Sequence, residues 1–163
     1  MSLKVTGEEA PFPSAVNALC DERQIAKISN NRAQTFAAKD TDAGGFMMVA
    51  ANFITFNIDG VEPEFGAPEP ARIISGDPQF RTWNLEEGDG GLYSGIWEAT
   101  PGKWRIVYEE WEYFSLLSGH SIVTEDGGEP VHLKAGDRMI LRPGFKGTWE
   151  VVETTRKDYV IKV

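Results

Sequence analysis

Two glutamates spaced two residues apart, Glu110 and Glu112, are the residues of this sequence best suited to proton transfer. Residues two apart in an extended strand point to the same face, so the two carboxyl groups would lie together. In an apolar interior, one of them would have a raised pKa and act as a general acid while the other stays ionised. Glu109 would then face outward. The alternative is a solvated strand edge that carries three acids.

Lys157 and Tyr159 form a second pair that shares one face of an extended strand. We expect Lys157 to pair with Glu112 or Glu153 inside the fold. A buried ion pair of this kind would orient the carboxylate or amine of a substrate. The alternatives are a purely structural ion pair, or a lysine that buries its apolar stem and keeps its ammonium in water.

Aromatic residues are interleaved with these charged groups. By alternation, Trp104 and Tyr108 share the face of Glu110, and Trp149 lies on a face of a later strand. If both faces point inward, they form an aromatic-walled pocket with few polar groups, the usual composition of a small-molecule site. The alternative is that the rings simply fill a small core. The predicted ligand-binding residues are Trp97, Trp104, Tyr108, Glu110 and Trp149.

Side chains that bind transition metals are scarce, because the chain has two histidines, His120 and His132, and one cysteine, Cys20. The histidines flank a predicted hairpin turn and would be cross-strand neighbours. They lack a carboxylate at fixed spacing, which favours ordinary surface histidines over a metal site. Cys20 has no motif that would make it a nucleophile. We therefore predict no metal ligands and no cofactor; the alternative is a metal ion held in the interior by Glu110, Glu112 and a tyrosine.

Short β-prone runs separated by turn signals would position these residues. No stretch after residue 71 has a helical period, and this spacing of short strands is typical of sandwiches and barrels. The N-terminal part is expected to add one short helix at residues 14–29, one strand at 46–58 and an irregular linker at 62–70. The chain is thereby divided into an extension, residues 1–70, and a barrel, residues 71–163. The predicted strands of the barrel cover 92–99, 104–108, 113–117, 120–124, 130–133, 138–141, 147–152 and 159–163.

The charge balance narrows the classes of partner. Sixteen Lys and Arg against twenty-five Asp and Glu give a net charge of −9, which argues against a nucleic-acid footprint and against an anionic membrane surface as partners. The longest apolar stretch, residues 46–58, is too short and too polar to span a bilayer. A single cysteine and no visible signal peptide favour a reducing compartment, so we predict a cytoplasmic protein.

Four segments resemble, in the right order, the signatures of one compact cupin subfamily: GIWEATPGKW (95–104), EYFSLLSG (112–119), AGDRMILRPGFKGTWE (135–150) and ETTRKDY (153–159). The subfamily is similar to ureidoglycine aminohydrolase and the ethanolamine-utilisation cupins, and it includes many members of unknown function. The resemblance implies an all-β fold, a double-stranded β-helix or jelly-roll barrel with a short N-terminal extension. It covers about residues 75–163.

The resemblance also implies which positions would hold a metal. It places Glu112 at the glutamate of the first cupin motif and implies that this side chain points inward. The His-x-His of that motif falls on Ile106 and Tyr108, or on residues 105 and 107 if the preceding loop differs by one residue. The histidine of the second motif falls on Gly147, where the missing side chain is expected to leave room. Of the four usual ligands, Glu112 alone is present.

Three functions remain open at this point. The first is a metal-independent module that binds a small metabolite against its aromatic rings. The second is an enzyme acting on a small nitrogen-containing metabolite, with Glu112, Lys157 and Tyr159 as the catalytic residues. The third is a structural or interaction protein with a filled barrel. In each case we predict a homodimer, because the edge strands of such barrels are natural dimer surfaces.

Overall fold

A computed structural model of the protein describes residues 52–163, and almost all of its regular structure is β. A 3₁₀ turn, Pro70–Arg72, precedes the second strand. Within the described residues, nine strands follow one another: β1 (Glu64–Gly66), β2 (Ile73–Gly76), β3 (Phe80–Gly88), β4 (Leu92–Ala99), β5 (Gly102–Val107), β6 (Trp111–Glu125), β7 (Val131–Lys134), β8 (Arg138–Leu141) and β9 (Lys146–Lys162).

The two long strands, β6 and β9, pair antiparallel along nearly their whole length and organise the sheet. The first half of β9 also pairs with β5, and its second half pairs with β4. The remaining strands extend the sheet outward: β3 and β1 beyond β4, β2 beyond β5, and β7 and β8 on β6. The sheet curls into a half-barrel, and the predicted all-β jelly-roll fold is confirmed.

Glycine allows β6 to bend without ending. Gly119 has φ +86°, and the pairing of β6 with β9 shifts register on both sides of it. A Cβ at this position would lie 2.2 Å from the carbonyl oxygen of Thr154, so the two strands approach here more closely than a side chain permits. The turn predicted at Ser118 and Gly119 is therefore wrong, because these residues form a bulge within one continuous strand.

Other predicted strands differ from the structure in extent. Strands β4 and β8 have the predicted bounds, and the predicted hairpin turn at residues 125–128 joins β6 to β7. The two segments predicted at 147–152 and 159–163 are one strand, β9, because the residues between them continue to pair with its neighbours. Strands β2 and β3 were not predicted.

The N-terminal predictions are only partly covered by the described residues. The helix predicted at residues 14–29 lies outside them, as does the first part of the strand predicted at 46–58. Residues 52–58 are not a strand, and the side chains of Phe53, Ile54 and Phe56 are exposed. Strand β1 pairs with β3, so the sheet begins before residue 71.

Alternation along β5, β6 and β9 produces the core. Every second side chain is buried over most of these strands, as the two-residue period of a strand requires, and the pattern is interrupted at residues 117–120 of β6 and 152–154 of β9. Rings from five strands meet in the middle, with centroids 5.2 to 6.4 Å apart. These rings belong to Phe80, Trp97, Trp104, Phe114 and Trp149.

Within residues 52–163, no helix has the length and apolar character needed to cross a bilayer.

Candidate functional site

Glu112, the second residue of β6, points into the barrel and is fully buried. Both of its carboxylate oxygens are engaged. Oε1 accepts a hydrogen bond from Nζ of Lys157 at 2.6 Å, and Oε2 accepts one from the hydroxyl of Tyr108 at 2.7 Å. Two charge-assisted hydrogen bonds compensate this carboxylate for the loss of water. Of the two predicted partners of Lys157, Glu112 is confirmed.

Lys157 lies on β9, directly across from Trp97 on β4 and from Leu116 on β6. Its ammonium is enclosed by aromatic faces as well as by the carboxylate. Nζ lies 4.6 Å from the ring centroid of Phe114, 4.7 Å from that of Trp149 and 5.0 Å from that of Trp97. Each of these distances is within the range of a cation–π interaction. The lysine is therefore held by one carboxylate and three rings.

Glu110 lies in the short segment between β5 and β6 and is only 2% exposed. Its Oε2 accepts a hydrogen bond from the backbone N–H of Glu109 at 2.9 Å, but its Oε1 has no partner among the described residues. Burial raises the pKa of Glu110. Nearby backbone N–H groups lower that pKa in part, and the negative charges of Glu112 and Glu109 raise it further. Glu110 is thus a buried carboxyl group with one free acceptor.

Tyr108 connects this segment to the turn between β8 and β9. Its backbone N–H donates to the carbonyl of Phe145 at 2.9 Å, and its carbonyl accepts from the N–H of Gly144 at 2.7 Å. Its ring packs edge-on against that of Phe145. Burial raises the pKa of the Tyr108 hydroxyl well above 10.0, and the charges of Glu112 and Glu110 add to the effect. Residues 108–110 and 142–145 therefore form one end of the barrel.

The predicted acid pair shares the interior, as alternation indicates, since Glu110 and Glu112 are both buried and Glu109 is exposed. Their environments differ in a way that the spacing does not show. Glu112 is bound by a lysine and a tyrosine, whereas Glu110 keeps an unpartnered oxygen. The solvated edge that was the alternative does not form.

The predicted tryptophans meet in the core, where their rings contact one another. Trp97 packs against Trp104 and Trp149 with centroids 6.4 and 5.8 Å apart. Phe80 and Phe114 fill the remaining faces of this cluster. The Nε1–H of Trp97 is buried and has no partner among the described residues.

Tyr159 is buried on the same face of β9 as Lys157, but its hydroxyl donates to Oδ1 of Asn84 on β3 at 3.2 Å. Asn84 belongs to a strand that was not predicted. The structure thus brings Glu112 and Lys157 into direct contact and directs the hydroxyl of Tyr159 toward a different strand.

A cupin resemblance implies a metal ion, and the residues present do not fit one. Ile106 and Tyr108 are the inward-facing residues at the first-motif positions, since both are buried and residues 105 and 107 are only partly so. At the second-motif position, a Cβ on Gly147 would lie 2.1 Å from the carbonyl oxygen of Thr124. The expectation that Gly147 leaves room is therefore wrong, because strand β6 fills that space. No cluster of three or more His, Cys, Asp or Glu within residues 52–163 has a geometry that could hold a metal.

The two histidines are close neighbours across β6 and β7, as predicted. Nε2 of His120 lies 3.1 Å from Nδ1 of His132, and their rings stack with centroids 5.4 Å apart. They lie on the outer side of the sheet, since His132 is exposed and His120 is partly exposed. A hydrogen bond between the rings accounts for this geometry.

One buried polar group was missed by the sequence analysis. Ser121 accepts a hydrogen bond from Nε1 of Trp149 at 3.2 Å and donates to the hydroxyl of Thr155 at 2.8 Å, which in turn donates to the carbonyl of Glu153 at 2.9 Å. The two hydroxyl residues come from β6 and β9, so no local pattern predicts their contact.

Phe114 was also missed, although its position two residues after Glu112 places it on the same inward face.

Comparisons with known proteins agree with this architecture. Residues 86–159 match the family model of the EutQ-like cupin domain. A protein of unknown function of the DUF861 family from Pseudomonas syringae pv. tomato is 26% identical to the chain, with a TM-score of 0.57 over 61% of this chain and 43% of its own. A predicted oxalate decarboxylase from Thermotoga maritima is 16% identical, with a TM-score of 0.53 over 68% of this chain and 99% of its own.

A putative ethanolamine utilisation protein Q from Salmonella typhimurium is also 16% identical, with a TM-score of 0.49 over 62% of this chain and 95% of its own. The match to the Pseudomonas protein covers 43% of its length, so the chain spans less than half of that protein. No curated protein is significantly similar to the chain. The Pseudomonas and Thermotoga structures, with TM-scores above 0.5, support the fold and do not define an activity.

Proposed function

We propose that this chain, whose residues 86–159 match the EutQ-like cupin domain, binds a small molecule at the barrel end formed by residues 108–110 and 142–145. The observation that carries the proposal is Oε1 of Glu110, a buried carboxyl oxygen without a partner among the described residues. Buried polar atoms are nearly always hydrogen-bonded in folded proteins, so an open acceptor at such a place is well suited to a ligand.

The chemistry of the site favours a ligand with an N–H donor, such as an amine, an amide or a ureide. A donor to Oε1 of Glu110 would satisfy the free acceptor, and a positive charge would be attracted by the carboxylate of Glu110. Glu112 contributes less to this attraction, because its charge is balanced by Lys157. A cation at Oε1 would stabilise the ionised form of Glu110, so binding would release the proton that burial favours.

The packing of the aromatic rings favours a binding site at this end of the barrel over a site at the centre of the barrel. The ring centroids of Trp97, Trp104 and Trp149 lie within 6.4 Å of a neighbouring ring, so those faces already have contacts. Tyr108 lies in the same short segment between β5 and β6 as Glu110, and its backbone N–H donates to the carbonyl of Phe145 in the facing turn. We therefore assign the ligand contact to Glu110 and Tyr108, with the tryptophans as the packed wall behind them.

Thermal shift and calorimetry with a panel of amino acids, small amines and ureides test the proposal. A binding member should raise the melting temperature of the wild type. Glu110→Gln should reduce that shift sharply, because a charge-assisted hydrogen bond is about twice as strong as a neutral one. Glu109→Gln, an adjacent and exposed carboxylate, is the matched control and should retain the shift. If no member of the panel shifts the wild type, or if both variants retain the shift equally, the proposed site is wrong and a filled barrel becomes the favoured function.

An enzyme acting on a small nitrogen-containing metabolite is the second candidate, and the raised pKa of Glu110 favours it. A carboxyl group that keeps its proton at a higher pH is suited to general acid catalysis. Both oxygens of Glu112 are already hydrogen-bonded, so we give the proton-transfer role to Glu110 and a positioning role to Glu112 and Lys157. Tyr159, whose hydroxyl donates to Asn84, supports the wall of the barrel.

Ammonia release from ureides and amides that bind would separate the two candidates. An enzyme should lose turnover in Glu110→Gln while Glu109→Gln remains active. If the wild type binds these compounds but does not convert them, binding without catalysis is the favoured function.

A further inference from the structure

We infer that the ammonium of Lys157 is a built-in cation that occupies, beside Glu112, the position at which a cupin barrel would otherwise hold a metal ion. The inference does not depend on a ligand at Glu110, because it concerns a contact between two residues of the chain. It accounts for three features at once: an acid that is 0% exposed, a lysine that is 2% exposed, and the lack, within the described residues, of any cluster of three or more His, Cys, Asp or Glu that could hold a metal ion.

The first step is the charge of Glu112. An isolated carboxylate is very costly to bury, and it persists in a core when a cation and further hydrogen bonds compensate it. Lys157 supplies the cation at 2.6 Å from Oε1, and Tyr108 supplies a hydrogen bond to Oε2 at 2.7 Å. Both oxygens are therefore used by the protein itself.

The second step is the surroundings of Nζ. The faces of Phe114, Trp149 and Trp97 surround it at 4.6, 4.7 and 5.0 Å from their centroids. The negative face of an aromatic ring stabilises a cation and offers no ligand to a metal ion. The three rings therefore suit the ammonium of Lys157 and offer no ligand to a metal ion.

The third step is the backbone. Lys157 is fixed opposite Trp97 on β4 and opposite Leu116 on β6, so its side chain can leave the interior only if three strands separate. The space that a second-motif histidine would need at position 147 is taken by the carbonyl of Thr124, 2.1 Å from the Cβ of any side chain placed there. Strand pairing thus both fixes the position of Lys157 and closes position 147 to a histidine side chain.

A double-mutant cycle tests the pairing. Lys157→Met and Glu112→Gln should each lower the melting temperature strongly, because each leaves one buried charge uncompensated. The double variant, with neither charge, should recover much of the loss. The control cycle is Lys103→Met with Glu150→Gln, a pair that is 3.0 Å apart and about one-third exposed on each side, where both single effects should be small. Additive losses at Lys157 and Glu112, without recovery in the double variant, would overturn the inference.

Metal uptake by the wild type provides a test that does not depend on the folding of any variant. Elemental analysis after incubation with excess Mn²⁺, Zn²⁺ or Ni²⁺ and removal of free ions should show no metal in the barrel. If Glu112→Gln and His120→Ala can be purified, they locate any ion that is found. A stoichiometric ion in the wild type that is lost in Glu112→Gln would overturn the inference. An ion lost only in His120→Ala lies on the outer His pair and leaves Lys157 as the internal cation.

Discussion

Gly147 of β9 faces the backbone of Thr124 of β6 so closely that a Cβ at position 147 would lie 2.1 Å from the Thr124 carbonyl oxygen. The register of the two strands places residue 147 opposite Glu125, and the opposing chain cannot give way as a flexible side chain would. The position that resembles a metal-binding histidine is therefore closed by the backbone, and a substitution there requires the two longest strands to move apart.

We expect Gly147→Ala to destabilise the fold by about 1–3 kcal/mol or more, because one added carbon overpacks the contact between β6 and β9. Urea unfolding followed by tryptophan fluorescence would measure the loss. Gly66→Ala is the matched control, since the nearest atom to its added Cβ is a ring carbon of Phe80 at 3.9 Å. Equal unfolding midpoints for the two variants would contradict the close approach at Gly147.

The buried carboxyl group of Glu110 should make stability depend on pH. Burial raises its folded-state pKa above the usual 4.5, so the folded protein binds this proton more tightly than the unfolded chain does. Its contribution to stability is complete below the unfolded pKa and is lost as pH rises through the folded pKa. The free energy involved is about 1.4 kcal/mol for a pKa difference of one between the folded and unfolded states.

Glu110→Gln, which resembles the protonated form, should therefore gain stability relative to the wild type as pH rises from about 4 to about 8. Melting temperatures of the two proteins across this range would measure the difference. A difference between Glu110→Gln and wild type that shrinks with rising pH would show that Glu110 is not held in its protonated form by burial.

The hydrogen bonds through Ser121 should stabilise the core. Ser121→Ala leaves the Nε1–H of Trp149 buried without an acceptor, whereas Thr155 keeps its bond to the carbonyl of Glu153. We expect a loss of about 1–3 kcal/mol in the free energy of unfolding, the usual penalty for an unsatisfied buried donor. Ser118→Ala, an exposed position on the same strand, should change stability little. If both variants unfold at the same denaturant concentration, the Ser121 network makes no net contribution.

The edges of the sheet lead us to expect a homodimer. Within residues 52–163, the short strands β1, β2, β7 and β8 each have a single strand neighbour, and β1 carries Phe65, which is 69% exposed. Unpaired strand edges with apolar side chains are suited to pairing between copies. Light scattering at micromolar concentration should give the mass of two chains, and Phe65→Lys should lower that mass more than Leu117→Lys does. A monomer mass for the wild type would refute the expectation.

The alternation of residue types determined most of what could be predicted. It placed Glu110 and Glu112 on one face and Lys157 and Tyr159 on another, while turn signals gave β4 and β8 their bounds and favoured a barrel. The cupin resemblance implied that Glu112 points inward, and Glu112 is buried. These predictions succeed because the two-residue period of a strand is a local property, and burial of one face follows from it directly. Local signals failed at Gly119, because a glycine with positive φ serves a turn and a bulge equally well.

Tertiary structure alone decided the partners of the buried groups. The sequence offered Glu112 and Glu153 as partners for Lys157, and the register of β9 against β6 selected Glu112. The same register closed the space at Gly147 and joined Ser121 to Thr155, contacts between residues far apart in the chain. The physical reason is that residue type and spacing determine which side chains are buried, whereas strand register determines which of them meet. The register thereby pairs Glu112 with Lys157 and leaves Glu110 with an unpartnered oxygen.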